Sequence, residues 1–338
     1  MLQDTLSKVV ERRDLEPAEA EDALMEIMAG AASEAQIAAL LVALRMKGET
    51  AAEIAGFARA MRANCLQVRP TVQGLVDTCG TGGDALDTFN ISTTAAFVAA
   101  GAGVPIAKHG NRAVSSQCGS ADVLRELDVN ISLAPDAVAR CIDELGIGFL
   151  FAAELHPAMK HAVGPRKQLA MRTVFNLLGP LTNPADARRQ LIGVYDHSFA
   201  YTMAEALQVN GSEHVLIVHG KAGLDEVALY GATQITELRE GTIESYEITA
   251  ADLGLNEAPV QAISGGDPAT CARYLLEVLD GQESPRLDIV LANAAAAIYV
   301  GGMADTLAEG VALARRAVET GEARQCFLKL RELSHRLA

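Results

Sequence analysis

The 338-residue chain contains no Trp and only 4% aromatic residues, although half of its side chains are apolar. Its core must therefore be packed from aliphatic and small residues rather than from large rings. No run reaches the roughly 18 consecutive apolar residues of a membrane-crossing helix. The best stretches, Ala95–Ala107 and Ile289–Ala304, are short or broken by Gly and Asn. The first residues, MLQDTLSKVVERR, lack the apolar segment of a secretory leader, so a cytoplasmic location is expected. Six cysteines show no CxxC spacing and read as free, mostly buried thiols in a reducing compartment. Basic residues are in deficit, 28 against 43 acidic ones, for a formal charge of −15. That balance argues against general binding to nucleic acid or an anionic membrane.

Acidic residues are themselves missing from two windows, 88–121 and 155–185. These windows carry Lys108, Arg112, Lys160, Arg166, Lys167 and Arg172, which suits places kept for anions.

The first 65 residues read as about four helices. Pro17 stands at a helix start and Gly30 at a stop, while Ser33-x-x-Gln36 and Thr50-x-x-Glu53 fit capping boxes. From Gly74 short β-rich runs alternate with Ala-rich helical stretches: Leu75–Thr78, Val104–Ala107, Ile147–Phe151, Leu191–Tyr195, His214–His219 and Val227–Tyr230. The expected fold is a small helical domain (1–70, with part of 165–185 packing on it) and a larger α/β domain (71–338) with a mostly parallel central sheet. Two closing helices, split near Gly321, are expected over 303–337.

The sharpest local feature is Asp77-Thr78-Cys79-Gly80-Thr81-Gly82-Gly83-Asp84, followed by Thr88-Phe89-Asn90-Ile91-Ser92-Thr93 and an Ala-rich helix. A strand, a glycine turn and a helix start in succession direct free N–H groups and a positive dipole end at one spot, which suits phosphate. A capped strand-to-helix turn of the ordinary kind explains the same residues. A dinucleotide fingerprint is excluded by Ala85 where a third Gly is needed, and a Walker A loop by Ala222 after Gly220-Lys221. Lys108-His109-Gly110-Asn111-Arg112-Ala113-Val114-Ser115-Ser116, with Gly119-Ser120 after it, reads as a second anion loop following a strand that ends near Ala107. Asp225-Glu226, leaving a glycine loop, can hold Mg²⁺, though such a dipeptide is more often plain surface. Arg166 suits a carboxylate, and the histidines of HPAMKH (156–161) receive no catalytic role.

Together these segments, with LRMKGET at 44–50, GSADVL at 119–124, RT at 172–173, FNLLGPLTNP at 175–184 and GLDE at 223–226, closely resemble anthranilate phosphoribosyltransferases. The resemblance implies attack of the anthranilate amine on C1 of 5-phosphoribosyl 1-diphosphate (PRPP), the second step from chorismate to tryptophan. It implies that Gly80, Gly83, Asp84, Thr88 and Asn90 to Thr93 cradle PRPP, with Lys108 to Ser116 and Ser120 closing over it. It further implies that Ser92, Asp225 and Glu226 hold two Mg²⁺ ions, that Gly80, Asn111 and Arg166 receive anthranilate, and that the chain forms a homodimer. Three departures stand out: Ala152-Ala153 where the family usually has Ala-Pro, Gly164-Pro165-Arg166 where it has Pro-Val-Arg, and Asp128 in place of a glycine. Pro165 is expected to turn Gly164 away from helix. The rival readings are a pyrimidine nucleoside phosphorylase-like enzyme and a non-catalytic nucleic-acid-binding relative.

Overall fold

The computed structural model describes residues 2–84, 86–113 and 117–338. Four helices open the chain: α1 (Leu2–Val10), α2 (Pro17–Met28), α3 (Glu34–Lys47) and α4 (Ala51–Ala63). Their ends follow local chemistry. Pro17 takes the first turn of α2, and both expected capping boxes form, Ser33 with Gln36 and Thr50 with Glu53.

Glu53 does more than cap. Fully buried, it accepts from the Leu15 N–H (3.0 Å), the Thr50 N–H (2.9 Å) and Lys47 Nζ (3.0 Å). Glu53→Ala would leave the Leu15 and Thr50 N–H groups without this acceptor, while Lys47 keeps Asp14 Oδ1 (2.7 Å) and the Gly48 carbonyl (2.8 Å). A buried donor left unsatisfied costs about 1–3 kcal/mol, a fall readable in the urea midpoint.

The rest of the chain builds one seven-stranded sheet: β1 (Val76–Asp77), β2 (Ile106–Gly110), β3 (Ile147–Phe151), β4 (Arg189–Gly193), β5 (His214–Gly220), β6 (Thr233–Arg239) and β7 (Thr242–Ile248). The order is β3-β2-β1-β4-β5-β6-β7, parallel from β3 to β5 and antiparallel beyond. The helices between and after the strands are α5 (Ile91–Gly101), α6 (Ser120–Glu126), α7 (Pro135–Leu145), α8 (Ala152–Leu155), α9 (Lys160–Leu169), α10 (Phe175–Leu178), α11 (Ala200–Val209), α12 (Pro268–Leu279), α13 (Pro285–Val300), α14 (Leu307–Glu319) and α15 (Glu322–Arg336).

Strand alternation divides the core. In β5, Leu216 and Val218 join one cluster with α5 and α13 to α15, whereas Val215 and Ile217 join the other with α1 to α4, α10 and α11. The scarcity of aromatics shows in close helix packing. A Cβ at Gly101 would strike the Ala323 backbone, and one at Gly310 the Ala295 backbone. Small residues let these helices approach where rings could not. All six cysteines are free, four of them buried. Asp128, where the family has glycine, adopts φ +60°, a left-handed conformation that Asp tolerates better than most residues.

Three expectations need correction. Val227–Tyr230 is not a strand, because side chains satisfy its backbone: the Val227 N–H bonds Asn293 Oδ1 (2.9 Å) and the Ala228 N–H bonds Thr233 Oγ1 (2.9 Å). The sheet ends instead in the β6–β7 hairpin. β2 does not stop near Ala107 but carries Lys108, His109 and Gly110 inside the sheet, all paired with β3. Gly164-Pro165 does not divert the chain either. Both lie within α9, where Ala162 and Pro165 are buried and Gly164 packs so closely on Glu34 of α3 that a Cβ would stand 2.5 Å from Oε1. Packing against α2 and α3 overrides the local preference.

Candidate active site

The carboxyl ends of β1, β2, β4 and β5 open toward one cleft, where ligands of such sheets gather. From β1 leaves the glycine turn, with Gly82 and Gly83 at φ +65° and +82°, in a region open to glycine at little cost. The Thr81 N–H anchors it on the Gly193 carbonyl at the end of β4 (2.8 Å), and Arg172 donates to the Gly83 carbonyl while its guanidinium lies 3.6 Å from the Tyr195 ring centroid. Gly80 faces Gly193 and Asp225: a Cβ there would come within 3.0 Å of the Gly193 carbonyl oxygen and 3.4 Å of Asp225 Oδ2.

From β2, Lys108 points into the same space. Its buried ammonium donates to Thr78 O (3.0 Å), Thr78 Oγ1 (3.1 Å) and Ser92 Oγ (3.3 Å). Burial pushes its pKa below the ordinary value, against the pull of negative groups that include Asp77 and Glu226. Beyond β5 the 223–226 turn delivers Asp225 and Glu226. Burial first, then the adjacent Asp84 charge, pushes the Asp225 carboxyl up to about 7. Burial and Asp225 raise Glu226 well above the usual carboxylate range, while Lys108 pulls it down. Asp84 Oδ1 accepts from the Leu86 N–H (3.2 Å), and among the described residues its buried Oδ2 has no hydrogen-bond partner. Asp84, Asp225, Glu226, Ser92 and Lys108 are thus brought together, three crowded carboxylates beside one ammonium.

The other expected residues divide. Asn90 opens α5, and its Nδ2 donates to the Cys118 carbonyl (3.1 Å), tying the two loops together. Ile91 is core, with its N–H on the Phe89 carbonyl (2.7 Å), and Thr93 is buried, its Oγ1 without a partner among the described residues. Thr88 bridges to Ser264. Asn111 and Arg112 are exposed, with Arg112 5.7 Å from the Phe151 ring centroid. Asp122 clamps the second loop by accepting from the Ala113 and Gly119 N–H groups, both at 2.9 Å, and Ser120 donates to the Asn111 carbonyl (3.3 Å). Gly110 is too close to Ser120 and Phe149 to admit a Cβ. Val114, Ser115 and Ser116 lie outside the described residues. Arg166, in α9, stacks on Phe175 at 5.0 Å, and burial lowers its pKa. Among the described residues no hydrogen bond or ion pair joins it to Gly80 or Asn111.

Sequence reasoning missed a buried polar network behind these residues. Asp77 accepts from the His109 N–H (3.0 Å) and from Asn183 Nδ2 (2.8 Å), and Asn183 also donates to the Ala107 carbonyl (2.8 Å). With His109 Nδ1–H on the Gly179 carbonyl (3.2 Å), His109 Nε2 accepts from His156 Nε2–H (3.2 Å). Asp77 and Asn183 lay inside motifs read for other residues. Gly193 carried one weak signal, a Gly ending an aliphatic strand.

Burial pushes His109 down to about 3 and His156 to about 4, so both imidazoles fold neutral, while burial pushes Asp77 up to about 6. A depressed imidazole contributes stability that is present above pH 6.5 and lost as pH falls. Between pH 7 and 5 each should cost about 2 kcal/mol, opposed by about 1 kcal/mol from Asp77, whose protonated form folds more readily. Urea unfolding at the two pH values checks the sign, and His156→Gln should flatten the slope.

Sequence models of a glycosyl transferase family match twice: its helical bundle domain over residues 3–65 and its a/b domain over 72–324. An anthranilate phosphoribosyltransferase of Desulforudis audaxviator is 53% identical over 99% of this chain and 97% of its own. The crystal structure of anthranilate phosphoribosyltransferase from Thermus thermophilus is 43% identical, with a TM-score of 0.93 over 98% of this chain and 99% of that one. The Saccharomyces cerevisiae enzyme in complex with PRPP and Mg is 28% identical, with a TM-score of 0.90 over 99% and 98%. The chain belongs to the anthranilate phosphoribosyltransferase family.

Proposed function

We propose that this chain transfers the phosphoribosyl group of PRPP to the amine of anthranilate, giving N-(5-phosphoribosyl)anthranilate and diphosphate in tryptophan biosynthesis. The observation that carries the reading is the convergence of Asp84, Asp225, Glu226, Ser92 and Lys108 on the glycine turn at the carboxyl edge of the sheet. The reading takes residues 71–338 as the PRPP-binding α/β domain and residues 1–70, with part of 165–185 packing on them, as the helical domain beside it.

The donor set suits a hard dication. Carboxylates and a hydroxyl are oxygen ligands of the type Mg²⁺ takes alongside phosphate oxygens, and the buried Asp84 Oδ2 has no partner among the described residues. Asp225, Glu226 and Ser92 would hold two Mg²⁺ ions, which supply charge neutralisation for the departing diphosphate. Gly80, Gly83, Asp84, Thr88 and Asn90 to Thr93 would line the donor, with Lys108 to Gly110 of β2 at its floor and Asn111 to Ser116 and Ser120 covering it. Lys108 places a fixed positive charge beside the carboxylates, and the Asp77–His109–Asn183 network holds β2 and the 179–185 segment in register behind it.

The amine is nucleophilic while neutral and becomes acidic once the C1–N bond forms, so the reaction needs positioning rather than a strong base. Arg166, with Gly80 and Asn111, would receive the anthranilate carboxylate, and its stacking on Phe175 holds the fork in place. Arg166→Ala should raise KM for anthranilate by ~10-fold or more with little change in KM for PRPP, as for loss of a charged hydrogen-bonding group; steady-state kinetics in both substrates checks this.

A phosphorylase would use inorganic phosphate and a nucleoside, for which the acidic pair offers no partner. Turnover therefore separates the readings: fluorescence loss from anthranilate with PRPP and Mg²⁺ is expected, without phosphorolysis of uridine or thymidine. The reverse pattern would overturn the proposal. The same reading places the enzyme in the cytoplasm as a homodimer, without nucleic-acid or membrane partners.

A further inference from the structure

A cavity of about 820 Å³ lies at the amino ends of β1, β4 and β5, the opposite end of these strands from the proposed active site. Its walls come from the segment leaving α4 and entering β1 and from the segment entering β4, with Glu213 just before β5. Four guanidiniums line it, Arg62, Arg69, Arg188 and Arg189, against two carboxylates, Asp186 and Glu213. For a chain of net charge −15 that is a local reversal of sign.

The pairing is incomplete. Arg62 Nη1 (3.0 Å) and Arg188 Nε (3.3 Å) share the single carboxylate of Asp186. The Arg62 side chain is only 17% exposed, and its Nε is taken by the Leu181 carbonyl (2.8 Å), so the Nη groups are the donors left to share Asp186. Asp186 is 58% exposed, and its backbone is held at φ +53°. Among the described residues Arg69 bonds the neutral amide oxygen of Gln67 and no carboxylate. Arg189 is occupied by Glu213 and by the carbonyls of Val300 and Gly301, so it shapes the wall.

We infer that this cavity binds a small phosphate-bearing anion, held by Arg62, Arg69 and Arg188. Two guanidiniums sharing one carboxylate, with a third that has none, leave fork donors matched to a tetrahedral dianion. The volume admits a phosphate group together with a small organic remainder. The site differs from the catalytic cleft in place and in residues, and it does not depend on the reaction proposed above.

The test is calorimetric titration of the full chain at constant ionic strength with inorganic phosphate, glycerol 3-phosphate and citrate. The comparison protein is Arg69→Gln/Arg188→Gln, whose changes sit on exposed side chains and spare the cleft. The wild type should show a phosphate-binding component that PRPP does not displace, weakened at least tenfold in the double variant, with kcat/KM in phosphate-free buffer changed less than twofold. Tighter binding of glycerol 3-phosphate than of inorganic phosphate supports the site and identifies an ester as its occupant; the opposite order supports it with free phosphate. Superimposable isotherms for wild type and variant, full displacement by PRPP, or binding of citrate alone would each overturn the inference.

Discussion

Asp225→Asn or Glu226→Gln is expected to lower kcat/KM for PRPP by ~10²–10³-fold, the scale seen when one group stabilising transition-state charge is removed. The same changes should make the free protein more stable. Asp84, Asp225 and Glu226 crowd into one half-buried place, where partial burial and mutual repulsion raise the Asp225 carboxyl to about 7 and Glu226 well above its ordinary range. A carboxyl raised on folding weighs against the fold as pH climbs from its unfolded value through its folded one, so at pH 8 both groups oppose folding. A neutral amide removes that opposition, worth about 1–3 kcal/mol, as is common where a site sacrifices stability for function. Rates titrated against Mg²⁺ and urea unfolding without Mg²⁺ read the two effects. Loss of activity with loss of stability would instead mark these residues as structural.

Gly193→Ala should be almost as damaging without touching a charged group. Gly193 ends β4, and a Cβ on it would overlap the Asp225 carbonyl oxygen. Its own carbonyl accepts from the Thr81 N–H (2.8 Å) and Thr81 Oγ1 (3.2 Å), so the same residue seats the glycine turn. One added methyl must push apart the two loops that carry Asp84 and Asp225. A misplacement of about 1 Å can cost ~10²-fold in rate. The expected variant keeps its far-ultraviolet circular dichroism and loses about two orders of magnitude in kcat/KM, with part of that loss in the dependence on Mg²⁺. Unchanged kinetics would show that the loops yield more easily than their packing suggests.

What could be read from sequence was what local chemistry dictates. Capping boxes at Ser33 and Thr50, the β3 run and the break at Gly321 are decided by a few adjacent residues, and they formed as expected. What escaped depends on contacts distant in the chain. Val227–Tyr230 has strand composition, yet Asn293 and Thr233 take its N–H groups. Pro165 disfavours helix at Gly164, yet α2 and α3 hold α9 together through it. The β6–β7 strands mix polar and apolar residues because β7 is an edge strand, largely open to solvent. In the site, the charged residues were legible because acids in an anion loop, or their absence, is a sequence fact. The Asp77–Asn183 bond and the Gly193–Asp225 contact join residues 106 and 32 positions apart, and no spacing rule reaches them.

The account stands most directly on where a dication goes when the donor is present. Crystals grown with PRPP and Mn²⁺ in place of Mg²⁺ should show anomalous density beside Asp225 and Glu226, in contact with the diphosphate. A competing cluster exists: Asp77, Cys79 and His109 offer ligand atoms within 4.8 Å of one another. Burial raises the Cys79 thiol, and the Asp77 carboxylate is already satisfied by His109 and Asn183, so that cluster should stay without metal. Manganese there, or none at Asp225 and Glu226 with PRPP bound, would contradict the account.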